Sequence, residues 1–313
     1  MTRAFVFPGQ GAQSVGMGRD LAEAYPAARA VFDAVDAALG EDLSGLIWSG
    51  DADTLTLTRN AQPALMATSI AAMRALEAEG VRVADHAAFV AGHSLGEYSA
   101  LVAAGALDLG DAARLLRLRG EAMQAAVPPG EGAMAAVLGL DLDAVRRVAA
   151  EAGEGEVVVA ANDNDPGQVV LSGDAGAVAR AADLAKARGA KRAVMLPVSA
   201  PFHSPLMEPA ARAMAEALDD VEIARPAVPL VANVEAAPVS DPSTIRSLLV
   251  EQVTGAVRWR ESVARMAADG VTEVWEIGAG KALSGMVRRI DRAVATRAVG
   301  TPSEVAEAAA SLS

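Results

Sequence analysis

The chain has 313 residues, 52% of them hydrophobic but only 3% aromatic, and a formal net charge of −13 from 27 basic against 40 acidic side chains. That length accommodates one large domain or a large and a small one, with a core mainly of Ala, Val and Leu; the acidic balance argues against a general binder of nucleic acid or of anionic membranes. The absence of Cys excludes disulfides, thiolate zinc sites and a cysteine nucleophile, and three His without an H-E-x-x-H spacing speak against a metal site.

Met1-Thr2-Arg3 leads into a first predicted strand at 4–7, an apolar run too short for a secretory signal. The loop Phe7-Pro8-Gly9-Gln10-Gly11 follows, and its glycines allow backbone amides to approach a ligand closely. Several helices separate it from a second strand at 87–91, which runs into Gly92-His93-Ser94-Leu95-Gly96 and then a helix. In that strand–turn–helix setting G-x-S-x-G is an elbow: small residues on both sides let the backbone turn tightly and push the serine hydroxyl outward. The helix behind it offers its N-terminal amides to developing negative charge. Ser94 is the candidate nucleophile.

In the next predicted helix, 111–124, Leu115, Leu116, Ala122 and Met123 stand three or four residues from Arg119, which places Arg119 on the apolar face. Arg114, Arg117 and Glu121 fall on the opposite face, with Arg117 and Glu121 spaced to pair. An inward guanidinium needs a counter-charge. That charge is either an internal carboxylate or one brought by the substrate, which Arg would grip bidentately.

Pro128-Pro129-Gly130 then opens a change of rhythm. Strand 133–138, helix 142–152, strand 156–161, a turn through 162–167, strand 168–172, helix 175–188 and strand 192–198 give the β-α-β-β-α-β order of a ferredoxin-like sandwich. Its exit is the 199–201 region. The uncharged stretch 193–207 is too short for a membrane span and is broken by Pro197, Pro201 and Pro205. Beyond it come a strand at 229–233, more helices, a strand at 273–277 and a helix from Ala282. The fold class is therefore α/β: a mostly parallel sheet built from 1–127 and 198–313, with a ferredoxin-like α+β subdomain inserted at 128–197. Ligands bind beyond the carboxyl ends of such strands, where the elbow lies.

A serine nucleophile needs a base. His86 reads as a surface residue, and His93 should pack or bond beneath the elbow. His203, in Ala200-Pro201-Phe202-His203-Ser204-Pro205, sits in a proline-fixed loop at the edge of the inserted segment and is the candidate base. No aspartate suggests itself as a third member. Gly278-Ala279-Gly280-Lys281 invites a phosphate-loop reading, but the glycine four residues before its G-K pair is missing and Ala282 replaces the hydroxyl residue.

With these residues in place the chain resembles the malonyl-CoA:acyl carrier protein transacylases over essentially its whole length. The motifs are F-P-G-Q-G-A-Q at 7–13, Q-P-A at 62–64, G-H-S-L-G-E-Y at 92–98, R-G at 119–120, A-N at 161–162, P-G-Q-V at 166–169, P-F-H-S at 201–204 and E-Q…V-x-W from Glu251 to Trp259. The resemblance implies an α/β-hydrolase-like core, Ser94 as the acylated nucleophile, His203 as its base and Arg119 as the partner of the malonyl carboxylate. It further implies an oxyanion hole from the Gln10 and Leu95 amides, a Gln252 main-chain carbonyl orienting the histidine, and Gln62 and Asn162 lining the pocket. Phe202 resembles the malonyl-selective members, where a bulky ring fills the space of an α-methyl. Lys191, Arg192, Arg288 and Arg289 match carrier-docking positions. Asp163 and Asp165 make the 162–167 turn more acidic than the family pattern, which puts carrier docking on that side in doubt. The implied partners are malonyl-CoA, as substrate, and holo acyl carrier protein, with no metal or redox cofactor, no nucleic acid and no membrane. A cytoplasmic monomer is the expected form. Two other classes remain open: a serine thioesterase or hydrolase, and an interaction module with a degenerate site. The same transfer could also serve a polyketide or malonate-decarboxylase carrier.

Overall fold

The computed structural model describes residues 1–198 and 200–312; Ser199, part of the expected exit from the inserted segment, lies outside the described residues. Six strands form the main sheet: β1 (Arg3–Phe7) and β2 (Phe89–Gly92), then, far along the chain, β7 (Leu230–Ala232), β8 (Ala237–Val239), β9 (Glu273–Ile277) and β10 (Ala295–Val299). Their order is β10-β9-β1-β2-β7-β8, parallel throughout except for the β7–β8 hairpin. Central parallel strands are covered on both faces and so read as unbroken apolar runs. Ala4 to Phe7 are accordingly all buried. Phe5, Phe7, Trp275 and Ile277 pack into the cluster that contains the helix Thr58–Ala78, while Ala4, Val6 and Val274 pack against Trp259, Val263 and Met266 on the other side. The sequence reading anticipated neither β8 nor β10.

Pro63 lies inside the helix Thr58–Ala78 and has no N–H for the Arg59 carbonyl one turn earlier. That carbonyl accepts instead from Arg117 Nη1 at 2.8 Å. Arg117 also bonds Asn60 Oδ1 and pairs with Glu41 at 2.7 Å, so it is buried rather than solvated and does not make the expected pair with Glu121. An orphaned backbone acceptor must find a donor, and this one overrides the helical-face pattern.

The second sheet takes all its strands from the middle of the chain: β3 (Gly132–Leu138), β4 (Val158–Asp165), β5 (Gln168–Asp174) and β6 (Arg192–Met195), in the antiparallel order β4-β5-β3-β6. The helices Leu142–Ala152 and Ala175–Ala187 cover one face and bury Val137, Val145, Val148, Leu171 and Val178 in a core of their own. Met134, Ala136 and Val170, on the opposite face, look into a cleft toward the elbow.

The expected turn at 162–167 is corrected. Asn162 to Asp165 belong to β4, and only Pro166 and Gly167 form the turn. Asp163 and Asp165 are buried because each meets an arginine from a helix packed on the main sheet. Arg260 of Trp259–Ala268 grips Asp163 at 2.9 and 2.8 Å, and Arg289 of Ala282–Ile290 grips Asp165 at 2.7 Å. Asn162 and Asn164 face the cleft. The extra acidity noted in the sequence is therefore neutralised inside the molecule.

Candidate active site

A cleft of about 360 Å³ lies between the two sheets, lined by the loop after β1, the elbow, Arg119, the cleft face of the second sheet and the 202–203 loop. The elbow explains its own glycines. A methyl on Gly92 would stand 1.9 Å from the Gly96 carbonyl carbon, and one on Gly96 would stand 2.3 Å from the Phe7 carbonyl oxygen. The turn is tight enough to hold Ser94 at φ 53°, a left-handed backbone that a side-chain-bearing residue adopts only when its surroundings enforce it. Asn233, at the end of β7, clamps the turn: its Oδ1 accepts from Ser94 N–H at 2.8 Å and its Nδ2 donates to the Gly92 carbonyl at 2.7 Å.

Ser94 Oγ lies 2.8 Å from His203 Nε2, and His203 Nδ1 lies 2.8 Å from the main-chain carbonyl of Gln252. A carbonyl can only accept, so Nδ1 carries the proton and Nε2 offers its lone pair to the serine hydroxyl. Burial, reinforced by the positive charge of Arg119, lowers His203 from its ordinary 6.5 to about 3. The imidazole is neutral at physiological pH, as a general base must be.

Arg119, on the helix Leu109–Ala125, is 1% exposed. Its neighbour Gly120 passes so close to the helix Thr58–Ala78 that a methyl there would meet the Arg59 Cα at 2.5 Å. Arg119 Nη1 donates to Gln62 Oε1 at 2.7 Å, while Nη2 donates to Gln252 Oε1 at 2.8 Å and to Ser94 Oγ at 3.2 Å. Its Nε has no hydrogen-bond partner, and among the described residues no carboxylate lies within ion-pair distance. Of the two counter-charges considered from sequence, a contacting internal carboxylate is thus not present.

The structure brings together Gln10, Gln62, Ser94, Leu95, Arg119, Asn162, Phe202 and His203 on the walls of one cleft, with Gln252 directly behind them. Gln62 is held by Thr58 Oγ1 at 2.9 Å, and the same hydroxyl donates to Gln10 Oε1. Phe202 packs with Met134, Ala161 and Val170. His93 lies at the cleft, bonded through Nε2 to Asn164 Oδ1 at 2.9 Å and packed beside Trp259. His86 hydrogen-bonds the Arg82 backbone and does not line the cleft. Lys191 and Arg192 are exposed beside and on the edge strand β6. Arg289 is engaged by Asp165, and Arg288 lines a separate crevice with Lys281 and Glu304.

Sequence reasoning missed Asn233, Asn164 and the carboxylate of Glu97. Glu97 was visible as the one charge in the otherwise small and apolar helix Gly96–Ala103. The rejected phosphate loop has a structural explanation. The Glu276 carboxylate, fully buried, accepts from Leu283 N–H at 3.0 Å and Ser284 N–H at 2.7 Å, so the helix N-terminus that a phosphate would need is already filled.

Residues 4–300 match the family model described as an acyl transferase domain. A malonyl CoA-acyl carrier protein transacylase of Bacillus subtilis (strain 168) is 50% identical over 303 residues, covering 96% of this chain and 94% of that protein. The crystal structure of an acyl-carrier-protein-S-malonyltransferase from Bartonella henselae is 55% identical and superposes with a TM-score of 0.98, covering 100% of this chain and 99% of that one. A malonyl-transacylase solved in complex with a type II polyketide synthase acyl-carrier protein is 42% identical, with a TM-score of 0.96 and coverage of 99% and 100%. The chain belongs to the acyl transferase family, among its malonyl CoA-acyl carrier protein transacylases.

Proposed function

We propose that this acyltransferase moves a malonyl group from malonyl-CoA to the pantetheine thiol of acyl carrier protein by way of a malonyl ester on Ser94. The observation that carries the reading is the position of Arg119: a buried guanidinium with no carboxylate partner among the described residues, 3.2 Å from a serine hydroxyl that is itself 2.8 Å from an unprotonated imidazole nitrogen. A charge buried without a counter-ion is costly, and the malonyl carboxylate supplies that counter-ion at the place where its thioester carbonyl meets Ser94.

In the first half-reaction His203 Nε2 takes the Ser94 proton as Oγ bonds to the thioester carbon. The carbonyl oxygen, now anionic, is held by the Gln10 and Leu95 amides, each such donor contributing about 3 kcal/mol to the transition state. Collapse breaks the C–S bond, and the departing CoA sulfur receives the proton from Nε2. In the second half the carrier thiol gives its proton to Nε2 and attacks the ester carbonyl; collapse breaks the C–Oγ bond, and Nε2 returns that proton to Ser94 Oγ. Gln252 keeps the proton on Nδ1 throughout by accepting from it. A thioester is exchanged for a thioester, so the cycle needs no metal or redox cofactor, and the two partners are those in the names of the relatives. Arg119 fixes the malonyl group so that an aligned thiol, rather than water, reaches the carbonyl.

Phe202 narrows the space where an α-methyl would lie, a discrimination worth about 1–3 kcal/mol. Residues 128–197 form a small domain that walls the cleft, and its exposed Lys191 and Arg192 meet the acidic carrier; reversing both charges weakens transfer to the carrier and leaves acylation by malonyl-CoA unchanged. Among the described residues no helix is long and apolar enough to cross a membrane, and a cytoplasmic monomer is the form proposed to act. The test is intact mass after brief mixing with malonyl-CoA, beside Ser94→Ala, followed by holo acyl carrier protein. A malonyl adduct on the wild type alone that is chased onto the carrier supports the reading. Loss of the adduct to water makes the protein a hydrolase, and no adduct at all removes Ser94 from the chemistry.

A further inference from the structure

One buried carboxylate beneath the cleft is not used by the cycle above. Glu97 is 1% exposed, three residues past Ser94 on the helix behind the elbow. Its Oε1 accepts from the Asn233 main-chain N–H at 2.5 Å, and its Oε2 accepts from Gln252 Nε2. Both partners hold the reactive residues. Asn233 clamps the elbow through Ser94 N–H and the Gly92 carbonyl. The Gln252 side chain donates to the Ser94 carbonyl at 2.9 Å and accepts from Arg119 at 2.8 Å, and its backbone carbonyl accepts from His203.

We propose that Glu97 is the positioning residue that fixes the side-chain amide of Gln252, and through it the guanidinium of Arg119, in the orientation that receives the substrate carboxylate. The inference rests on the function proposed above and assigns it a residue that touches no substrate atom.

Donors and acceptors decide how the Gln252 amide is oriented. An amide can be turned end for end at almost no steric cost, so its neighbours decide which end faces where. Arg119 has only donors and demands the Gln252 oxygen. The Ser94 carbonyl and an ionised Glu97 have only acceptors and demand the nitrogen. Glu97 is also the carboxyl group joined to Arg119 through the Gln252 amide, and it leaves Arg119 Nε without a partner. Tyr98, whose ring lies 5.9 Å from the guanidinium carbon, adds a π-face but no acceptor in the plane of the fork. Burial pushes the Glu97 pKa up to about 8 against the opposing pull of the Asn233 amide, the Gln252 amide and the Arg119 charge; the geometry is that of the carboxylate, because each of its two oxygens faces an N–H donor.

A neutral glutamine at position 97 cannot replace the carboxylate. Both of its neighbours are donors, and it has one acceptor atom where Glu97 has two. Either Asn233 N–H or Gln252 Nε2 then faces another N–H, and Gln252 is released from the orientation that serves Arg119.

The test compares Glu97→Gln with wild type using malonyl-CoA and acetyl-CoA as acyl donors to holo acyl carrier protein, with thermal unfolding as the check on folding. Loss of a grip made in both ground and transition state raises KM, so KM for malonyl-CoA rises about tenfold while that for acetyl-CoA stays within about twofold. Arg119→Ala and the double variant run alongside. With Arg119 removed, Glu97→Gln should leave the malonyl-to-acetyl ratio where Arg119→Ala put it. Equal rises for the two donors, or a full extra effect in the double variant, would reduce Glu97 to a structural residue and overturn the proposal. The underlying function fails separately: if Arg119→Ala leaves the ratio unchanged, Arg119 is not the carboxylate's partner and both readings fall. Should Glu97→Gln not fold, Glu97→Asp keeps the charge but is too short to meet Asn233 and Gln252 together; it must show the same malonyl-specific rise, and parallel losses overturn the proposal.

Discussion

Two strand–loop–helix turns leave the same parallel sheet, and only one of them carries a proposed nucleophile. After β2, the Gly92–Gly96 turn presents Ser94 to the cleft. After β9, the Gly278–Lys281 turn leads into the helix Ala282–Ile290, which gives the cleft only the apolar side chains of Ala282, Leu283 and Met286. Both are rich in glycine, and both place a fully buried glutamate next to a helix start. The difference is where the carboxylate stands. Glu276 precedes its loop, on the strand, and reaches across to accept two N–H groups of the helix's first turn. Glu97 stands inside its helix and points away, to Asn233 and Gln252, leaving the elbow's cleft side to a ligand. A helix N-terminus is thus an anion site only when the chain has not already supplied the anion.

The two turns differ most in what each loses with a glycine. Gly92→Ala puts a methyl 1.9 Å from the Gly96 carbonyl carbon, and no side-chain movement relieves a backbone clash. Acylation by malonyl-CoA should fall by about 10³-fold or more, as when the nucleophile itself is lost. Gly278→Ala meets a Ser69 hydroxyl at 2.4 Å and carries φ +125°. It should cost about 1–3 kcal/mol of stability but leave acylation per folded molecule within a few-fold. Intact-mass acylation rates beside urea unfolding separate the two, and equal loss of acylation would mean that the two turns are not functionally distinct.

A smaller effect is expected at Glu276. Glu276→Gln keeps one acceptor for two buried donors, and leaving one unpaired costs about 1–3 kcal/mol. The helix Ala282–Ile290 lines the cleft only through Ala282, Leu283 and Met286, so KM for malonyl-CoA should hold within about twofold. Together with the tenfold rise expected for Glu97→Gln, this would set the two apart: one buried carboxylate that stabilises a helix, and one proposed to orient the group that receives the substrate. A malonyl-specific KM rise in Glu276→Gln would erase it.

What the sequence disclosed follows the same division. The elbow was legible because its steric logic is contained in five consecutive residues, and the inward face of Arg119 because helical period alone defines it. The second sheet's order emerged from alternating elements with short loops between them. The segment Asn162–Asp165 was misread because its composition is that of a turn, while the arginines that make it a buried strand stand 97 and 124 residues away. Arg117 was misread for a similar reason: its partner is a carbonyl orphaned by a proline on another helix. Glu97 and Asn233 were passed over because each acts through a neighbour rather than on the cleft.

The smallest expected effect is an absence of change, and it is the most diagnostic of the elbow's electrostatics. His203 is depressed from 6.5 to about 3 because charging it would bury a cation beside Arg119. In the unfolded chain the imidazole binds a proton as pH falls through 6.5, whereas the folded one does not until about 3. The stability tied to this residue is therefore fully present above 6.5 and is lost progressively as pH falls from there toward 3. The rate of Ser94 acylation behaves oppositely. The proposed base stays neutral, so kcat/KM for acetyl-CoA, which has no carboxylate for Arg119 to receive, should remain flat from about pH 8 down to about pH 5, where an exposed histidine would already have halved it near 6.5. Stopped-flow acylation and urea unfolding over the same range test both halves. An inflection in kcat/KM near 6.5 would mean that the burial of His203 does not persist in the reacting enzyme. A flat rate over a sloping stability ties the working base to the dry side of the elbow, the feature that the turn after β9 does not have.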